Sequence, residues 1–388
     1  MAVQVSVQSC PSSAAPVLHQ LSHNCLAEGA GDVPMMATTT SASGSTPVDS
    51  HHNPQQQPMP VLLRGSIARS IYERMQREEQ LRYFDKSKWY SIDRQLITRE
   101  LNHTFAPMDY DCETQEFVDL CYQKSDQYFT HLFHSIARTI LCLFMSSTSV
   151  NGLLGRGSMF VFSDKQFRAL LGDHLLMTDS NMYSSSSEPL IDIIGSDSND
   201  SVDTNAGADR VLIDLGAGDG KITEIMSKYF HKTYTTEISP VMRKILLKKG
   251  FNVLEVEEWC QTGLQYDVIS CLNVLDRCDK PLSMLAHMRS ALRPKTGLIV
   301  LALVLPFSQY VEVNDNHRAD HRPSEVLAID GHTFEEQLVS FVANVLAPNG
   351  LQVVKWSKLP YLCEGDLELT YYWLYDVVLV LKAVGDDQ

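Results

Sequence analysis

From residue 210 to residue 382, apolar β-branched runs alternate with stretches whose apolar residues recur every three or four positions. The runs fall at 210–216, 232–237, 251–256, 266–272, 297–305, 351–359 and 372–382. Helical patterns at 219–230, 239–249, 281–292 and 332–347 lie between most of them. Neighbouring parallel strands need a crossover of a dozen or more residues, and these helices supply it. The pattern predicts an α/β fold: a Rossmann-like, seven-stranded, mostly parallel sheet with helices on both faces. The run "YYWLYDVVLVLKAV" follows its predecessor with no long helix between them, so the last strand is expected to pair antiparallel. In open sheets of this kind a ligand sits beyond the carboxyl ends of the strands.

That rule singles out residues at four strand ends. The first strand runs into "VLIDLGAGDG", where Asp214 precedes Gly216, Ala217 and Gly218. Glycines there let backbone N–H groups approach a ligand closely. The spacing is G-x-G-x-G, whereas dinucleotide loops use G-x-G-x-x-G. After the second strand comes Glu237, a carboxylate able to accept both hydroxyls of a ribose. After the third come Glu258 and Trp259, an acid and a ring suited to an adenine. After the fourth comes "CLNVLDRCD", with Asn273, Asp276 and Arg277. Acids around the loop favour a sulfonium bearing an ammonium group over a phosphate-bearing dinucleotide. S-adenosyl-L-methionine is therefore the expected cofactor, with a dinucleotide as the alternative.

The rest of the chain narrows the class. A net charge of -15 over 388 residues argues against nucleic acid and anionic membranes as partners. Nine cysteines without a C-x-x-C pair read as reduced thiols, not as a disulfide framework or zinc site. His131 and His134, three apart on a helical pattern, lack a third ligand, and His317 and His321 fall in a polar stretch, so no metal is expected. The apolar stretch 136–145 is too short to span a bilayer, and the leader is polar, which gives an intracellular, cytoplasmic reading. A monomer is expected. The expected organisation is a disordered leader at 1–60, a helical part at 61–176, a disordered acidic insertion at 177–208 and a methyl-donor-binding core at 209–384.

The run "DLGAGDG" with Glu237 is similar to the signature of class I, seven-β-strand methyltransferases. Narrower runs are "RGSIARSIYERM", "SVNGLLGRGSMFVFS", "QYDVISCLNVLDRCDKPL", "ALVLPFSQYVE" and "KLPYLCEGD". With these the chain resembles the DREV-type methyltransferases, which are protein-L-histidine N-pros-methyltransferases. The resemblance implies methyl transfer from S-adenosylmethionine to the pros nitrogen of histidine in His-x-His motifs with a small middle residue. It also implies association with the endoplasmic reticulum or mitochondria. Arg156, between two glycines, is a further expected cofactor contact. Asn273 and Asp276 are the expected catalytic pair, with Asp276, Arg277, Tyr310 and Tyr361 at the substrate. The alternatives are another methyl acceptor, such as a small molecule, or a non-catalytic scaffold that binds the same cofactor.

Overall fold

A computed structural model describes residues 66–142, 147–172, 174, 209–311 and 322–385. The leader at 1–60, the insertion at 177–208 and the pair His317/His321 lie outside the described residues. Six α-helices and a short 3-10 helix, Lys86–Trp89, come first among the described residues: α1 Ser66–Tyr83, α2 Arg99–Thr104, α3 Cys112–Ser125, α4 Tyr128–Leu141, α5 Ser147–Leu154 and α6 Asp164–Leu171. A two-residue strand, β1 Met159–Phe160, interrupts them. The alternating part follows as β2 Val211–Leu215, α7 Lys221–Ser227, β3 Lys232–Thr236, α8 Pro240–Lys248, β4 Asn252–Leu254 and β5 Val268–Leu272. It continues with α9 Pro281–Ala291, β6 Leu298–Val304, α10 Phe334–Phe341, β7 Leu351–Glu364 and β8 Tyr371–Ala383.

All seven predicted strands form, and the sheet has an eighth. Its order is β1-β7-β8-β6-β5-β2-β3-β4. The correction from seven to eight is β1, which adds to the edge by pairing Met159 with Cys363 and Phe160 with Leu362, antiparallel to β7. Two residues are too few to carry a readable alternation. The last strand is antiparallel as expected, and it is inserted: β8 pairs with β6 on one side and β7 on the other. Strand β6, "LIVLALV", is buried along its whole length, because helices cover both faces of a central strand.

Local chemistry ends each helix where the sequence permits. Ser239 caps α8 ahead of Pro240 at the first helical position. Ser163 with Gln166, and Thr333 with Glu336, form reciprocal capping boxes on α6 and α10. Two apolar clusters fill the two faces of the sheet. One gathers Trp89, Phe162, Phe167 and Tyr371, the other Ile213, Ile299, Leu338 and Trp356.

The N-terminal helices are joined to the sheet through these clusters. Trp89 lies 5.9 Å from the Trp373 ring and 6.3 Å from that of Tyr371, both on β8. Trp356 on β7 is fully buried, lies tilted against Phe105 at 4.8 Å between ring centres and donates its indole N–H to the Leu101 carbonyl of α2 at 2.8 Å. No helix among the described residues is long and apolar enough to cross a membrane.

Trp356→Ala removes that ring and the shorter of the two side-chain hydrogen bonds to the Leu101 carbonyl, leaving that of Thr104 Oγ1 at 3.3 Å. Urea unfolding should register a loss of about 3–5 kcal/mol, the usual cost of truncating a buried Trp or Phe. A loss under about 1 kcal/mol would mean that α2 is not anchored through this residue.

Candidate functional site

The site begins with a buried acid. Asp214, at the end of β2, is 3% exposed, and its oxygens accept from Ser270 Oγ on β5 at 2.5 Å and Thr223 Oγ1 on α7 at 2.6 Å. Burial drives its pKa up from 3.8 to about 6, while the two hydroxyl donors and nearby Glu237 modulate it. Beyond it the loop turns sharply. Gly216 and Ala217 both donate their N–H to the Thr236 carbonyl at 3.0 Å, holding the loop against the end of β3. Gly216 has φ +72°, and a Cβ there would sit 2.7 Å from Cγ2 of Val274, so only glycine fits. Gly218, at φ +56°, faces open space.

Glu237 closes this side. It is 6% exposed, and its oxygens accept from Gly218 N at 2.9 Å and Ser239 N at 2.8 Å. A carboxylate has about four acceptor positions, so two remain for a ligand. The bond to Gly218 sets the loop's outer backbone relative to that carboxylate. Ser239 in turn meets Ser149 of α5 at 2.9 Å, so the helical part reaches this corner too.

The other half of the site lies at the end of β5. Asn273 takes φ +56°, a conformation asparagine adopts more readily than most residues. Its N–H donates to the Ala302 carbonyl at 3.0 Å, and its side-chain Nδ2 donates to Asp376 Oδ2 at 2.7 Å. Asp276 is 8% exposed and lies 3.6 Å from Arg277 Nε through Oδ2. Its backbone carbonyl accepts from Tyr310 N at 2.9 Å. Tyr361, 4% exposed on β7, has its hydroxyl 2.6 Å from the sulfur of Met159. Burial pushes its pKa well up, and Asp276, Arg277 and Asp376 are close enough to act on it electrostatically. The structure thus brings Asn273, Asp276, Arg277, Tyr310 and Tyr361 to one end of the sheet. Val274, next to Asn273, touches Gly216, so this cluster adjoins the glycine loop.

Three expected residues have other surroundings. Trp259 is 4% exposed in the core against Tyr266, whose hydroxyl donates to its carbonyl at 3.1 Å. Glu258 beside it is exposed. Arg156 forms a clasp: Nε pairs with Glu364 at 2.9 Å, Nη2 donates to the Gly365 carbonyl at 2.6 Å, and Nη1 meets His131 Nδ1 at 2.7 Å. Lys124 holds the other oxygen of buried Glu364 at 2.6 Å. That clasp accounts for the arginine without a ligand. His131, whose Nε2 faces the Lys124 carbonyl at 2.7 Å, belongs to the same clasp, and burial lowers its pKa.

Asp376 was not among the expected residues. It is fully buried on β8, opposite Val304 of β6 and Leu359 of β7. Desolvation raises its pKa well above the usual carboxylate range. Of the buried side-chain oxygens that meet no hydrogen-bond partner among the described residues, three belong to this corner: Asn273 Oδ1, Asp276 Oδ1 and Asp376 Oδ1. Buried acceptors without donors are rare and call for a ligand or a functional reason.

Residues 89–200 and 176–383 match the family model described as DREV methyltransferase. Solved structures similar to the chain include the CurJ carbon methyltransferase, at 17% identity over 68% of this chain and 71% of that one, with a TM-score of 0.33. Another is the 1,6-didemethyltoxoflavin-N1-methyltransferase of Burkholderia thailandensis with bound S-adenosylhomocysteine, at 17% identity, 45% and 71% coverage, and a TM-score of 0.29. A third is the magnesium protoporphyrin IX methyltransferase of Synechocystis PCC 6803 with bound SAM, at 16% identity, 43% and 68% coverage, and a TM-score of 0.27.

Asp214 makes a prediction about pH. Its folded pKa, about 6, lies above the ordinary 3.8, so the native state holds its proton more tightly than the unfolded chain does. The stability this group contributes is full below about pH 4 and is lost as pH rises through about 6, a change on the order of 3 kcal/mol. Asp214→Asn should remove that part of the pH dependence. Denaturation curves of the two proteins between pH 4 and 7 that fall in parallel would contradict the assignment.

Proposed function

The chain belongs to the DREV methyltransferase family, and from that premise we propose that it transfers the methyl group of S-adenosylmethionine to the pros nitrogen of histidine in His-x-His motifs of protein substrates. The observation that carries this reading is the pair of unpartnered buried acceptors, Asn273 Oδ1 and Asp276 Oδ1, next to the glycine loop. A neutral imidazole brings one N–H donor and one lone pair. An acceptor that takes the N–H fixes the tautomer and leaves the other nitrogen's lone pair free to attack.

S-adenosylmethionine supplies an electrophilic methyl group on a positively charged sulfur. Around it, the backbone of Gly216 to Gly218 allows close approach, and Glu237 has acceptor capacity for two ribose hydroxyls. The side chains of Asp276 and Asn273 orient the imidazole and keep its attacking nitrogen unprotonated. Positive charge grows on the ring as the N–C bond forms, and the Asp276 carboxylate is fixed where it can offset that charge. Holding both reactants in line is worth roughly 7–11 kcal/mol of the barrier. Arg277, Tyr310 and Tyr361 wall the acceptor side. Residues 61–176 and 209–384 act together as one catalytic unit in this reading, through the Ser149–Ser239 and Trp356–Leu101 contacts.

The deciding experiment is incubation with a short Ala-His-Ala-His peptide and methyl-labelled cofactor, followed by mass spectrometry. Methyl on histidine is expected; no methylated histidine, with cofactor still bound, would point to another acceptor. Within that assay Asp276→Asn should lower kcat by roughly 100-fold, within the usual range for a positioned proton-handling group, with a smaller change in peptide KM. Glu237→Ala should instead raise the cofactor KM by roughly 10-fold or more, since charge-assisted hydrogen bonds are lost there. Equal effects of the two variants on both parameters would refute the division of labour.

A further inference from the structure

Strand β8 is apolar through its middle except at Asp376, which has no exposure at all. An acid at such a depth destabilises the fold unless it serves a partner, and the partner here is Asn273, through Nδ2 to Oδ2 at 2.7 Å. A carboxamide has two different ends. With Nδ2 committed to Asp376, the other end of the amide, Oδ1, is not the atom that meets this acid, and it lies buried without a partner among the described residues. The left-handed backbone of Asn273 and its N–H bond to Ala302 limit how else the side chain can be carried.

We infer that Asp376 is a positioning residue, which makes Asn273 present an acceptor and not a donor to the substrate. This rests on the histidine reading above and deepens it: Asp376 selects, through Asn273, the imidazole tautomer whose proton sits on the nitrogen remote from the methyl donor. Were the amide reversed, its NH2 would face the ring and favour the opposite tautomer, whose proton sits on the nitrogen that faces the methyl and blocks transfer. Asp376 itself touches neither the substrate nor the cofactor in this scheme. The bond formed is still from the imidazole nitrogen to the methyl carbon, and the bond broken is the sulfur–methyl bond. The ring's remaining proton is held by Asn273 and Asp276 and passes to solvent after transfer.

The test is how the loss divides between kcat and peptide KM, which a purely structural role would not separate. Wild-type protein and Asp376→Asn are assayed on the Ala-His-Ala-His peptide. Asp376→Asn should lower kcat by about 10-fold or more, change peptide KM by less than about threefold and leave S-adenosylhomocysteine affinity within about twofold by calorimetry. The exchanged pair Asn273→Asp/Asp376→Asn keeps one carboxylate, one amide and the bond between them, with an acceptor still facing the substrate. It should be roughly fivefold faster than Asp376→Asn or more, and it also serves if Asp376→Asn alone fails to fold. An Asp376→Asn protein with wild-type kcat overturns the role of Asp376 alone, as does an exchanged pair no faster than Asp376→Asn. A wild type that binds cofactor yet transfers no methyl to histidine overturns the histidine reading, and the tautomer selection with it.

Discussion

The carboxylate of Asp214 has almost no access to water, so the fold must provide its hydrogen bonds. Ser270 and Thr223 do so, and in doing so they fasten β2 to β5 and to α7. The end of β5 carries the acceptor side of the site, and α7 continues directly from the glycine loop. The loop that follows Asp214 can turn only after β2 has stopped at a defined residue, and the stop is set by these two bonds. Gly216 and Ala217 then reach the end of β3, whose next residue is Glu237. One buried charge thus keeps three strand ends in a common register at the side of the sheet where ligands bind.

The acceptor side obeys a different constraint. Asn273, Asp276 and Asp376 put three carbonyl or carboxylate oxygens into a buried corner without donors. Such an arrangement costs stability in the free protein, and a molecule that brought N–H groups to Asn273 and Asp276 would offset part of that cost. Arg277 and Tyr361 border it, and Arg277 pairs with the Asp276 carboxylate. The glycine loop meets this corner at Val274, close enough that no side chain could be added at Gly216. The two halves of the site are in van der Waals contact.

Much of this was legible in the sequence, for physical reasons. Strand positions follow from uninterrupted apolar runs, and strand ends from the polar residues that break them. Asn273 and Asp276 therefore stood out together, and Glu237 and the glycines were legible from chain direction alone. Asp376 does carry a signal in the sequence: one acid in the middle of "YYWLYDVVLVLKAV" has to be buried, and a buried acid needs a partner. Its partner stands 103 positions away and could not be read. Arg156 met the same limit, since Gly365 is 209 positions distant. Trp259 could serve equally as core or as ligand face, and only the packing against Tyr266 decides.

The insertion of β8 between β6 and β7 has a consequence for how the molecule is made. A ribosome delivers β6 and β7 before the strand that separates them, so each waits with an unsatisfied edge. For β6 that edge is "LIVLALV", an uncharged and fully apolar template for any stray strand. The N-terminal helices that pack on β7 and β8 wait as well, although they leave the tunnel first. Completion of the sheet is therefore a late, long-range event that depends on residues 371–383. During synthesis this chain is most exposed to aggregation in the interval between β6 and β8, and a chaperone that shields a bare strand edge would serve it best there.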